Sequence, residues 1–96
     1  MPYVRVADFD ADDDAIDKFV EMIKADPTPP EGVPATGINV LANREKRKLR
    51  SVVFFATEED LRQGTAALDA MSPPGDLNVR RTNVETFELL VQQQQA

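Results

Sequence analysis

The sequence predicts a small α+β domain with its elements in the order βαββαβ, and three observations lead there. Four segments read as strands: YVRVAD from Tyr3, Ile38 to Asn43, Arg50 to Ala56, and about Asn83 to Val91. Two stretches of helical spacing separate the first strand from the second and the third from the fourth. Large apolar side chains fall on both parities of the strands, so a second copy of the chain is expected to cover one face of the sheet.

In the first strand Val4 and Val6 alternate with Tyr3, Arg5 and Ala7, the period of a strand with two different faces. From Asp13 to Ala25, Ile16, Phe19, Val20 and Ile23 fall on one stripe of a helix. Asp10, Asp12, Asp13 and Asp14 precede and open it, where carboxylates accept free backbone N–H groups and oppose the dipole. Pro27 ends that helix at Asp26, and DPTPPEGVPATG follows as a stiff connector. The next two strands form a hairpin across the polar turn NREKRKLR. Val52 to Phe55 is apolar without alternation, as in a central strand covered on both sides. Thr57 with Asp60 marks the start of a second helix, whose buried stripe is Leu61, Ala67, Leu68 and Met71. The turn SPPGD leads into the last strand, and the domain is expected to span residues 1–91, with residues 92–96 (QQQQA) as a frayed tail.

This order is the ferredoxin-like split βαβ arrangement, an antiparallel four-stranded sheet with both helices on one face. Counting parities places Val4, Val6, Ile38, Val40, Val52 and Phe54 on one face. Tyr3, Leu41, Val53, Phe55, Phe87 and Leu89 fall on the other and form the expected dimer-facing set. Arg5, Asn39, Ser51 and Glu85 are polar exceptions within the strands. Tyr3, Arg5, Asn39 and Glu85 are the candidate ligand-binding residues, since a few convergent polar groups on an apolar surface can orient a small ligand.

Composition narrows the function classes. The chain has 96 residues, 42% apolar and 29% charged, as in an ordinary globular domain. Its longest charge-free stretch, Gly32 to Asn43, is too short to span a bilayer. The acidic start lacks the pattern of a secretory signal, and there is no cysteine, so a cytoplasmic location is expected. The net charge is −6, and residues 1–31 hold nine acids against three bases. Such a surface repels nucleic acid and anionic membrane, and neither is an expected partner.

Two charge clusters invite sharper readings. Asp10, Asp12, Asp14 and Glu21 occupy positions 1, 3, 5 and 12 of an EF-hand loop, but Ala15 stands at the glycine position and the loop would destroy the helix stripe, so no metal site is expected. Arg44, Lys46, Arg47, Lys48 and Arg50 are the basic cluster, read as a solvated hairpin tip that could also attract the acidic first helix of another subunit.

The strand YVRVAD, the VVFFATEEDLRQG strand-to-helix junction and the closing NVETFELL resemble the dimeric α+β barrel proteins related to antibiotic-biosynthesis monooxygenases, in particular their small bacterial members. The resemblance covers nearly the whole chain and implies two sheets packed face to face, helices outside, and a small cavity in each subunit. Enzymatic members of that group use Asn and Trp near the cavity, and the haem-degrading branch Asn, His and Trp. This chain offers Asn39, Asn43, Asn78 and Asn83 but no Trp and no His. The expectation is therefore a homodimer that binds a small aromatic or lipophilic molecule, or a partner protein, without robust catalysis, cofactor or assigned catalytic residue. The competing expectation is a cofactor-independent monooxygenase or isomerase acting on a small aromatic, polyketide-like substrate through Asn39, Tyr3, Arg5 or Glu85. A ligand-sensing module would need a second domain.

Overall fold

A computed structural model describes residues 2–71 and 78–93. The elements are β1 (Tyr3–Ala11), α1 (Asp13–Ala25), β2 (Gly37–Asn43), β3 (Lys48–Phe55), α2 (Glu58–Asp69) and β4 (Val79–Glu88). The strands form one antiparallel sheet in the spatial order β2-β3-β1-β4. This is the ferredoxin-like arrangement, with β1 and β3 central and β2 and β4 at the edges.

Local chemistry sets the helix ends. The Asp12 side chain accepts a hydrogen bond from the Ala15 amide at 2.8 Å, and Thr57 Oγ1 accepts one from the Asp60 amide at 3.1 Å. Asp26 is already extended, as Pro27 requires, and its amide donates to the Met22 carbonyl at 3.2 Å. The connector turns back at Gly32, whose φ of 82° suits glycine, and the Val33 amide closes that turn on the Pro30 carbonyl.

Strand pairing decides which side chains share a face. Tyr3 lies opposite Phe55, Arg5 opposite Val53, and Ala7 opposite Ser51. Ala7, Phe55 and Leu49 are almost wholly buried, which marks this as the helix-covered face. Ala11, Ala15, Ile16 and Leu49 form one core cluster with Phe9 and Phe19 against it; Val33, Val53, Phe55 and Leu61 form a second, with Tyr3 and Leu68. Each large side chain so buried contributes roughly 1.5–3 kcal/mol.

The same register corrects several expectations. Val53 and Phe55, expected at a dimer interface, lie under α2 in the chain's own core, and Tyr3 packs with them. Ile38 and Val40 pair with Val53 and Ser51 and therefore face the helices. Leu41 pairs with Arg50, and Phe87 with Val4, so these two belong to the open face together with Val4, Val6, Val52 and Phe54. Parity within one strand was readable; the side each parity takes depends on cross-strand register.

Two strands also have other limits than expected. A bulge between Asp8 and Phe9 shifts the pairing so that Arg81 meets Phe9 and Val79 meets Ala11. β1 thus runs past Asp8 to Ala11, and β4 starts at Val79 and ends at Glu88 rather than spanning Asn83 to Val91. Leu90 and Val91 follow the strand and are exposed. The hairpin turn shortens to residues 44–47, with Arg47 in the left-handed region, and Met71 lies beyond α2 and is exposed. The SPPGD turn and most of the QQQQA tail lie outside the described residues.

Candidate functional site: a cavity between sheet and helices

The helices do not fill the covered face. Between the two core clusters lies a cavity of about 370 Å³, at the small end of the range of roughly 300–1,000 Å³ usual for ligand pockets. Its sheet floor is Phe9, Leu49, Val53 and Val79, with Arg5, Ser51 and Arg81 as polar groups. Phe19, Met22 and Ile23 of α1 form one wall, and Leu68 and Met71 close the α2 end. The connector supplies Pro27, Pro29, Pro30, Val33 and Ala35, and Ile38 stands on the edge strand β2. The lining is predominantly apolar because it is built largely from helix-facing strand positions such as Phe9, Leu49 and Val53, the end of α1 and the proline connector.

Arg5 is the unusual member. It projects from the central strand β1, is 3% exposed, and donates from Nη2 to Asp69 Oδ1 at 2.7 Å. Its Nε is buried and has no hydrogen-bond partner among the described residues. Asp69, at the end of α2, is half exposed, so solvent screens one side of this ion pair. Arg81 comes from β4 and donates to the Leu68, Asp69 and Met71 carbonyls at 3.2–3.4 Å. It places a cation at the negative end of α2, whose own last turn has no basic residue. Two guanidinium groups therefore stand on the cavity floor, and among the described residues the only carboxylate in the lining is Asp26 of the connector.

The expected ligand residues do not converge. Arg5 lines the cavity, but Tyr3 is in the neighbouring core cluster, and Asn39 and Glu85 lie on the open face opposite Val52 and Val6. The other asparagines serve local structure: Asn43 accepts from the Lys46 amide, Asn78 donates to Asp12, and Asn83 donates to Glu85. Sequence reasoning missed Arg81, because its inward direction follows only from the bulge that leaves Thr82 of β4 unpaired between Asn83 and Arg81. It also missed the proline connector as a cavity wall, since composition marks a stiff linker without saying where it rests.

A wider hollow of about 490 Å³ borders Asp8, Leu41, Asn43, Lys48, Arg50 and Thr82. Its charged groups are already paired: Arg50 Nε with Asp8 at 2.6 Å, and Asp10 with both Lys48 and Arg80. Lys48 and then Arg80, by hydrogen bonding, hold the Asp10 carboxyl below the ordinary carboxylate range, and Asp8 raises Arg50. The apolar cavity is the better site, because its buried guanidinium still has an unused donor. The basic hairpin finds its acidic partner within the chain: Arg44 bridges Asp17 at 2.6 Å and Asp13 at 3.1 Å, both on α1. Asp12 caps α1, Asp14 pairs with Lys18, and Asp10 lies in β1, so three of the four EF-hand positions serve other contacts.

No family model, curated protein or solved structure matches this chain.

Proposed function

We propose that this chain binds a small lipophilic or aromatic molecule in the cavity between its sheet and helices, and works as a homodimer through the open face of the sheet. The cavity carries this reading: about 370 Å³ of predominantly apolar space, with its polar floor groups at Arg5, Ser51 and Arg81. The homodimer is supported by the apolar side chains on the uncovered face, where Leu41 and Phe87 are about half exposed. The ferredoxin-like sheet and this apolar face also support a place among the dimeric α+β barrel proteins related to antibiotic-biosynthesis monooxygenases. A cytoplasmic location goes with the lack of cysteine. The reading assigns no catalytic residue.

Uptake of the neutral dye Nile Red tests the site. A saturable rise in fluorescence is expected for the parent chain, and loss of it for Ala35→Trp, which fills the cavity from the connector. Glu21→Trp, on the outer side of α1, should leave uptake unchanged. Equal uptake by the Ala35 variant and the parent, or no saturable uptake by either, would overturn the reading.

A further inference from the structure

Arg5 sets the cavity floor apart from its apolar walls. A guanidinium carries five N–H donors in a planar fork, and burial of such a charge is unfavourable unless acceptors surround it. Here Asp69 takes one N–H, at Nη2, and among the described residues the Nε–H has no acceptor. The residue is 3% exposed, so bulk water does not complete the set. A nonpolar side chain at this position would be the simpler way to build an apolar floor.

Arg81 stands on the same floor, and among the described residues the lining holds two cations against the single carboxylate of Asp26. That balance is opposite to the chain as a whole, whose net charge is −6. A carboxylate matches the fork geometry of arginine and gains charge-assisted hydrogen bonds where water is excluded. Ser51 faces the same side, two residues along β3 from Val53, the partner of Arg5, and adds a hydroxyl donor near that position.

We propose that the ligand of this cavity is a lipophilic carboxylic acid, bound as its anion, with the carboxylate on Arg5 and the apolar body between α1 and the proline connector. This rests on the reading of the cavity as a ligand site and adds the charge of the occupant. Arg5 acts as the specificity-determining residue; Asp69 holds the guanidinium in place when the cavity is empty and competes with the ligand when it is filled.

The test compares 2-naphthoic acid with 2-naphthalenemethanol, which share a ring system and differ in charge, by titration calorimetry at neutral pH. The acid is expected to bind the parent chain about tenfold more tightly than the alcohol, the advantage of a charge-assisted over a neutral hydrogen bond. Arg5→Leu should remove that preference while the alcohol still binds. Asp69→Asn removes the competing carboxylate and should widen the preference for the acid. If acid and alcohol bind the parent equally, the carboxylate proposal fails and the lipophilic site stands. If neither binds, both fail. If Asp69→Asn lowers acid affinity and alcohol affinity alike, Arg5 and Asp69 form only a structural tie between β1 and α2, and the proposal is overturned. The parent and Asp69→Asn arms decide the matter even if Arg5→Leu does not fold.

Discussion

Gly64 shows how one residue can set the spacing of two layers. It is buried in α2, and a Cβ at this position would overlap the ring of Phe55, which is itself fully buried and cannot swing away. Glycine weakens a helix interior by about 1 kcal/mol relative to alanine, so its presence calls for a packing reason. Gly64→Ala should therefore destabilise: overpacking costs about 1–3 kcal/mol against the helical gain of about 1. A drop of several degrees in Tm is expected, and an unchanged or higher Tm would show that α2 can lift off Phe55 freely. The contact of Gly64 with Phe55 is set by how α2 packs on the sheet, not by its neighbours along the chain. Arg5 is similar. Its alternation with Val4 and Val6 was legible, whereas its burial and unfilled donor depend on α2 and the cavity.

Among the elements, α1 was the most legible, because its stripe, its acidic start and Pro27 are all local signals. The Asp12 carboxyl sits below its ordinary range because it accepts first from the Ala15 amide and then from Asn78. Asp10 is lowered by Lys48 and Arg80. A carboxyl depressed by folding stabilises the native state above the ordinary aspartate pKa, and that contribution is lost as pH falls through about 4 and below. Thermal melts should thus show Tm falling between about pH 6 and pH 3. Asp12→Asn keeps a capping oxygen without a titrating charge, so its fall over the same interval should be smaller. An equal fall would show that the cap contributes nothing to acid sensitivity. β1 and β4 were less legible, since a bulge leaves no periodic trace strong enough to distinguish it from a strand end.

On the scale of the whole molecule, the consequence is a sheet with one face over a cavity and one face open. Val4, itself buried at 7% exposure, and the half-buried Val6 lie at the centre of that open face, and Leu41 and Phe87 flank it on the edge strands at 52% and 47% exposure. Charged pairs around Asp8 and Asp10 occupy its far end. A dimer through this face should sediment at about twice 10.7 kDa at micromolar concentration. Leu41→Glu with Phe87→Glu changes side chains already half exposed in the single chain, so the fold should persist by circular dichroism while the species shifts to 10.7 kDa. A parent chain that already sediments at 10.7 kDa would remove the dimer from the proposed function.

The sequence by itself determined the element order, the approximate limits of α1 and of the hairpin strands β2 and β3, both helix caps, and the presence of apolar residues on both sheet faces. These are properties of neighbours along the chain, where spacing, proline and capping side chains act over a few residues. Only the tertiary structure decided which parity lies under the helices, that Val53 and Phe55 are core while Leu41 and Phe87 are open, and that Arg5 and Arg81 share one cavity. The reason is relational: strand register and the bulge at Thr82, opposite Asp8 and Phe9, bring distant segments together, and a side chain's surroundings are set by its partners across the sheet.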